Sequence, residues 1–139
     1  MRITLFTVEE ANGLLAQVRP QLEKLRAQKR EFDRLESRAD ILLVATAGAD
    51  PANPDALELA ALRAKRRRLG ERIGRELRQL GEAGLMVKDL DKGLCDFYAL
   101  MGDRLIFLCW HLGEAEVTHW HTLEDGFKGR RPLKNAELE

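Results

Sequence analysis

The stretch that decides the fold is residues 94–110, which read LCDFYALM-GD-RLIFLCW. Two apolar and aromatic segments flank the dipeptide Gly102-Asp103. A two-residue turn with glycine first is typical of a β-hairpin, so we expect antiparallel strands over 94–101 and 104–110. Because such a turn fixes the register, each residue of one strand can be assigned a partner on the other.

The predicted register divides the hairpin into an apolar side and a mixed side. The apolar side pairs Phe97 with Leu108, Cys95 with Trp110 and Ala99 with Ile106. The mixed side places Asp96 opposite Cys109, and burying a carboxylate on a half-apolar surface is costly unless it is paired. Asp96 is therefore the most informative residue of the hairpin. The register also sends Cys95 and Cys109 to opposite sides, so we expect no disulfide between them.

The first half of the chain has the periodicity of helices. Residues 7–10, TVEE, form a capping box, and apolar residues recur after it at steps of three and four. Pro20 lies inside this first helix and is expected to kink or break it. The Asn-Pro pair at 53–54 signals the start of a second helix that runs to about residue 83. The short loop between the helices makes them antiparallel neighbours.

These patterns together predict an α+β fold in a single domain that covers residues 1–139. Residues 7–83 are expected to form a long antiparallel helical hairpin. A small, mainly antiparallel β-sheet follows over residues 84–132, and residues 133–139 are a polar tail. Besides the hairpin strands, we expect strands at Arg2–Phe6, Leu85–Leu90 and Val117–Thr122.

Composition limits the classes of partner and of compartment. Lys+Arg and Asp+Glu number 23 each, so no net charge draws the chain to nucleic acid or to an anionic membrane. The arginine-rich run, residues 63–78, lacks aromatic residues and is interleaved at helical spacing with Glu58, Glu71, Glu76 and Glu82, so we interpret it as a solvated helix face. No apolar run approaches the ~20 residues of a membrane span. Two cysteines and no signal-peptide pattern indicate a cytoplasmic protein with reduced thiols.

Three histidines follow the hairpin, and two of them form the pattern His119-Trp-His121. A His-x-His pattern on a strand points both imidazoles to one side, which suits a divalent metal such as zinc or manganese. Together with Glu114 and Asp96, these two histidines are the candidate metal ligands. The alternative is that one histidine hydrogen-bonds within the sheet while the others are exposed, with no metal.

Six motifs are spread over nearly the whole chain: FTVEEAN (6–12), VRPQL (18–22), VKDLDKGLCDF (87–97), LCWHLGE (108–114), WH (120–121) and GFKGRRPL (126–133). Together they resemble a small bacterial family, domain-of-unknown-function family 2203, and the resemblance implies no particular activity. The family's pattern overlaps Asp89, Asp96, Trp110, Glu114, Trp120, His121 and Arg130. It favours Asp96, Glu114 and His121 as catalytic candidates, ahead of His111 and His119. Trp110 and Arg130 are the candidate binding residues.

Two functions remain open at this point. The first is a homo-oligomeric binding or assembly module, in which a second copy covers leucines such as Leu22, Leu25 and Leu69 that two helices alone would leave partly wet. The second is a small, metal-assisted hydrolase, in which Asp96 or Glu114 works as acid or base with His121 while Arg130 holds an anionic group. The sequence names neither a substrate nor a protein partner.

The register of the strand at 117–122 decides whether a site forms, because a slip of one residue reverses its two sides. Unpaired imidazoles among apolar residues are costly, whereas on the mixed side His121 can pair with a carboxylate. We therefore expect His121 beside Asp96 or Glu114, with Trp120 in the core. Such pairing is expected to lower the pKa of Asp96.

Overall fold

The computed structural model describes residues 2–133 and confirms the α+β architecture. Two long helices precede a five-stranded antiparallel sheet with the strand order β1-β2-β3-β4-β5. The elements are α1 (Val8–Ala45), α2 (Pro54–Glu82), β1 (Met86–Asp89), β2 (Leu94–Met101), β3 (Arg104–His111), β4 (His119–His121), a 3₁₀ turn (Phe127–Gly129) and β5 (Arg131–Pro132). Except for Leu133, the predicted polar tail lies outside the described residues.

The predicted capping box begins α1. Thr7 Oγ1 accepts a hydrogen bond from the Glu10 N–H at 3.1 Å, and Glu10 Oε1 accepts one from the Thr7 N–H at 3.0 Å. The helix then runs for 38 residues and is not broken at Pro20. Leu15 and Leu22 are buried on either side of the proline, so core packing holds both halves of the helix in place.

Helix α2 begins and ends at the signals in its sequence. Asn53 Oδ1 accepts from the Asp55 N–H at 2.8 Å, and Pro54 is the first helical residue. At the other end, Gly84 has a φ of 99°, which suits glycine far better than other residues. The Leu85 N–H returns to the Leu80 carbonyl at 3.0 Å, which closes a Schellman motif and turns the chain into β1.

The two helices bury their apolar stripes against each other and against the sheet. Leu22 and Leu25 are 0% exposed in the single chain, and Leu69 is half-buried. The expectation that these leucines stay partly wet without a second copy is therefore wrong for Leu22 and Leu25, which the single chain covers, whereas Leu69 does remain partly exposed. Within residues 2–133, neither helix has the length of apolar sequence that crossing a bilayer requires.

The β2–β3 hairpin has the predicted register. Asp96 lies opposite Cys109, and Cys95 lies opposite Trp110. Gly102 opens the turn with a φ of 66°. Both cysteines are free, as expected from side chains that leave opposite sides of the sheet.

The other predicted strands are shorter in the structure or absent. Residues 2–6 are not a strand; one backbone bond, from the Phe6 N–H to the Tyr98 carbonyl at 2.8 Å, ties them to the sheet. Strand β1 pairs with β2 only over residues 94–96 and is interrupted by a register shift at Lys88. Strand β4 has three residues, and the loop before it makes contacts with α1.

Those contacts join the two ends of the chain. The Val117 N–H donates to Asn12 Oδ1 at 2.7 Å, across 105 positions of sequence. The Arg19 guanidinium donates to the Ala115 carbonyl, also at 2.7 Å. The loop before β4 is therefore fixed to the first turns of α1.

The apolar side of the sheet packs on the helices, as predicted. Trp110 and Phe97 are fully buried there, and burial of each large side chain contributes ~2–3 kcal/mol. Trp120 joins this core, as expected. The mixed side faces away from the helices, and residues from 123 to 127 help to line it.

Candidate functional site

A buried pair of titratable side chains lies on the mixed side of the sheet. His121 lies on β4 opposite Phe107, and His119 lies opposite Cys109, so the expected register is the observed one. His121 Nε2 is 3.1 Å from Asp96 Oδ1, and each residue is only 4% exposed. The prediction that His121 lies beside Asp96 is confirmed.

The backbone fixes the orientation of the His121 ring. Its Nδ1 is 2.7 Å from the Thr122 carbonyl oxygen, and a carbonyl can only accept, so Nδ1 carries a hydrogen. The contact between Nε2 and Asp96 then needs a second hydrogen, because a bare nitrogen lone pair would repel a carboxylate. That proton lies either on Nε2 or on the carboxyl group. In both forms the pair shares one proton and has no net charge.

Burial dominates the electrostatics of Asp96. Removal from water raises the pKa of its carboxyl group, while His121, Lys88 and the Cys109 thiol oppose the shift without reversing it. Pairing with His121 does lower the pKa of Asp96, as expected, but burial outweighs it, so the expectation that this pKa lies below its ordinary value is wrong. The sequence indicated the partner, but it did not show how deep both groups lie.

Cys109 completes the cluster, although the candidate functional residues chosen from the sequence do not include it. One ligand atom each from Asp96, Cys109 and His121 can be chosen so that all lie within 4.8 Å of one another. Burial raises the pKa of the Cys109 thiol to about 11, with the Asp96 carboxylate as a further cause. The signal was available, because the predicted register already placed Cys109 opposite Asp96.

The cluster opens into a cavity of about 260 Å³. Asp96, Cys109 and His121 line it together with apolar residues such as Phe107 and Phe127. Two acidic residues, Glu124 and Asp125, and one basic residue, Lys88, also line it. Lys88 Nζ lies 4.8 Å from the centre of the Phe107 ring. The charged lining is thus more acidic than basic, which favours a cation over an anion.

Glu114 belongs to a different cluster. The Arg130 guanidinium binds its carboxylate through two nitrogens, at 2.9 and 3.1 Å, and the His111 N–H donates to it at 3.0 Å. Burial by itself raises the pKa of Glu114, but Arg130 and the His111 N–H outweigh it, so the pKa lies below its usual value. The structure therefore does not bring Glu114 into the group formed by Asp96 and His121.

The remaining candidate residues surround Glu114. His119 Nδ1 is 2.9 Å from Thr118 Oγ1 and 3.9 Å from the Glu114 carboxylate. The Trp110 indole donates to the Glu114 carbonyl at 2.9 Å, and its ring is fully buried. Arg130 also donates to the Cys109 carbonyl at 3.3 Å. These contacts hold the loop after β3 in place. They leave little surface on these side chains for a ligand.

Neither the curated proteins nor the solved structures include a match to this chain. One family of sequences does match, and its description is uncharacterized conserved protein (DUF2203). The match extends over residues 4–133, from the segment before the capping box of α1 to the residue after β5. The resemblance read from the six motifs is thereby confirmed, and the chain belongs to the DUF2203 family.

Proposed function

We propose that the protein binds a divalent transition metal, zinc in the first place, through Asp96, Cys109 and His121. The observation that carries this proposal is the convergence of a carboxylate oxygen, a thiol sulfur and an imidazole nitrogen within 4.8 Å. Zinc is bound in proteins by these three kinds of atom, and three protein ligands leave a fourth position open. The open position would face the cavity, so the protein would present the ion to a small molecule.

One donor separation already suits a tetrahedral ion, and all three donors lie within 4.8 Å of one another. Metal–ligand distances of ~2.0–2.3 Å in a tetrahedron put the ligand atoms ~3.3–3.7 Å apart. The observed pair of Asp96 Oδ1 and His121 Nε2, at 3.1 Å, is close to that separation. The hydrogen bond from Nδ1 to the Thr122 carbonyl is the outer contact that commonly orients a metal-binding histidine.

Charge balance also favours a dication over other occupants. Without a metal, the thiol holds one proton and the pair of Asp96 and His121 shares another. A zinc ion that replaces both protons would meet one thiolate, one carboxylate and one neutral imidazole, and the buried group would stay neutral. A neutral buried group avoids the cost of burying an uncompensated charge.

Hydrolysis is the chemistry that an open position on zinc supplies, because a bound water molecule loses its proton near neutral pH. Asp96 or Glu114 was the expected acid or base, but Asp96 would be a metal ligand here, and the carboxylate of Glu114 is bound by Arg130. A hydrolase built on this cavity would instead use Glu124 or Asp125, the other carboxylates that line it. Hydrolysis is therefore the second part of the proposal and depends on the first.

Cobalt substitution tests the metal site directly. The metal-free protein, prepared with a chelator, is titrated with Co²⁺ and Zn²⁺ while absorption is recorded. We expect one ion per chain and a thiolate-to-cobalt charge-transfer band that Cys109→Ser removes. Cys95→Ser is the matched control, since Cys95 lies on the opposite side of the sheet, and it should keep the band. Failure to bind one ion per chain, or a band that survives Cys109→Ser, would refute the site.

A homodimer remains a prediction, although its expected interface changes. Four large aliphatic side chains stay exposed near the loop between the helices: Ile41, Leu43, Val44 and Leu57. A second copy could cover them end to end, whereas Leu22 and Leu25 are already buried. Light scattering at micromolar concentration distinguishes a dimer from the 15.8 kDa monomer. The proposed metal site also implies a cytoplasmic location, because Cys109 can bind a metal only while its thiol stays reduced.

A further inference from the structure

The outer surface of α2 carries an unusual density of positive charge. We call it the arginine face and define it by seven exposed side chains: Arg63, Lys65, Arg67, Arg68, Arg72, Arg75 and Arg78. Residues 63–78 contain eight basic and two acidic residues, a net charge of +6 in a chain whose total is zero. The charge is spread over ~22 Å of helix, at 1.5 Å per residue.

The acidic residues that the sequence interleaves with this run do not neutralise it. Glu58 binds Arg38 of α1 through two hydrogen bonds, at 3.1 and 3.2 Å. Glu76 is half-buried, and one of its carboxylate oxygens has no hydrogen-bond partner. Glu71 forms no ion pair within 4 Å among residues 2–133, and neither does any of the six arginines of the arginine face.

One ion pair does reach the arginine face. Lys65 Nζ lies 3.8 Å from a Glu31 carboxylate oxygen, and Glu31 is also paired with Arg34. This single long contact leaves the six arginines of the arginine face facing solvent. The run is therefore a solvated helix face, as expected, but among residues 2–133 no ion pair within 4 Å compensates its arginines.

We infer that the arginine face docks on the phosphate backbone of a double-stranded nucleic acid. Six of its seven cations are arginines, whose planar guanidinium groups bind phosphate oxygens in pairs. The occupant is double-stranded because no aromatic side chain lies among the arginines to stack on unpaired bases. The contact is independent of nucleotide sequence, because phosphate contacts position a protein on the duplex but do not read bases.

An anionic membrane is the competing polyanion, and the composition of the helix face argues against it. Helices that lie on membranes combine basic residues with exposed apolar ones that enter the lipid. The large hydrophobic side chains that are exposed within residues 2–133 include none between Leu57 and Leu123. The arginine face also lies on α2, which packs toward the apolar side of the sheet, so its role is separate from that of the proposed metal site.

Salt dependence is the observation that identifies this contact. The full chain is titrated into a fluorescently labelled 20-base-pair duplex of mixed sequence, and anisotropy is measured between 50 and 200 mM salt. If four phosphates are neutralised, the slope of log K against log salt is about −3.6 and the affinity falls roughly 100-fold over that range. A second duplex of unrelated sequence should bind equally well. A slope near zero would overturn the inference.

Charge reversal assigns the contact to the arginine face. The double variant Arg67→Glu, Arg75→Glu should lower the affinity at least tenfold and reduce the slope by about 2. The matched control is Lys24→Glu, Arg30→Glu, which makes the same change of net charge at exposed positions of α1 and should leave the slope unchanged. Equal losses in both variants would refute the assignment. Binding to phosphatidylserine vesicles without binding to the duplex would refute it too.

Discussion

Two carboxylates, one buried on the mixed side of the sheet at Asp96 and one half-buried in the loop after β3 at Glu114, are held in opposite ways. Glu114 is bound by a permanent cation, Arg130, and by a backbone N–H, and its pKa lies below the usual value. Asp96 is bound by an imidazole with which it shares a proton, and its pKa lies above the usual value. A carboxylate whose two oxygens are both bound by an arginine holds no proton that a metal ion could replace. A carboxylate that shares a mobile proton can exchange that proton for a metal ion.

Neutralising each carboxylate in turn and measuring zinc affinity tests whether Asp96 binds the metal and Glu114 does not. Asp96→Asn should weaken zinc binding more than 100-fold, because it removes a ligand, and loss of an outer contact alone costs 10–100-fold. Glu114→Gln should change the affinity less than about 3-fold, because Glu114 lies outside the ligand group. Competition with a zinc-sensitive dye gives both values. Similar losses in the two variants would mean that the metal lies between the clusters.

The pH dependence of zinc affinity gives the number of protons that the site releases when zinc binds. The Cys109 thiol, with its pKa of about 11, and the shared proton of Asp96 and His121 must both leave when zinc binds. Each proton weakens the apparent affinity tenfold for every unit of pH lost, so the affinity should fall about 100-fold per unit between pH 8 and pH 6. Calorimetry in buffers of different ionisation enthalpy should count two released protons. A count of one would mean that the pair carries no proton.

Stability should respond to Arg130 far more than to an exposed arginine. Arg130→Gln leaves the charge of the half-buried Glu114 carboxylate without its main partner. This substitution should therefore lower the unfolding free energy by about 2–3 kcal/mol at pH 7. Adding Glu114→Gln should recover most of that loss, and Arg104→Gln, at an exposed position, should change it by less than about 0.5 kcal/mol. Urea denaturation at pH 7 measures all three variants.

The loss of unfolding free energy caused by Arg130→Gln should depend on pH. A carboxyl group whose folded pKa is depressed contributes stability above its unfolded pKa and loses it as pH falls through the folded value. The contribution of Arg130 and Glu114 should therefore be complete at pH 7 and should decline below about pH 4.5. A cost of Arg130→Gln that stays constant down to pH 3 would contradict the ion-pair explanation.

The smallest expected effect is that of Asp96→Asn on the stability of the metal-free protein. The asparagine amide can donate to His121 Nε2 in place of the shared proton, and it removes a carboxyl group that burial penalises. We expect a change of less than about 1 kcal/mol in the unfolding free energy at pH 7. A loss as large as that of Arg130→Gln would show that Asp96, like Glu114, serves mainly to hold the fold.

Most of the fold could be predicted where short-range rules apply. The two-residue turn at Gly102 fixed the pairing of Asp96 with Cys109, and the capping box at Thr7 fixed the start of α1. The position of His121 followed from the cost of leaving an imidazole unpaired on an apolar surface. In each case a local geometry or a single large energy excluded the alternatives.

Other features depended on distances that the sequence does not contain. Glu114 lies in a loop whose length leaves its partner open, so its pairing with Arg130 was not foreseen. Cys109 was not among the candidate ligands, although its predicted position opposite Asp96 already placed it beside one of them. The direction of the pKa shift of Asp96 depends on how completely the surrounding segments exclude water, and that is a property of the assembled molecule.

The hydrogen bond from Val117 to Asn12, which spans 105 residues, has a consequence for how the protein folds. The β2–β3 hairpin and the helical hairpin involve mainly local contacts, whose loops close quickly. Strand β4 follows β3 after a short loop, residues 112–118, but the contacts that hold this loop to α1 span 96 and 105 positions, and the entropy of such a closure grows with its length. We therefore expect His121 to be held firmly beside Asp96 late in folding, and Asp96 stays exposed to water in a nascent chain until residues 104–121 have been synthesised.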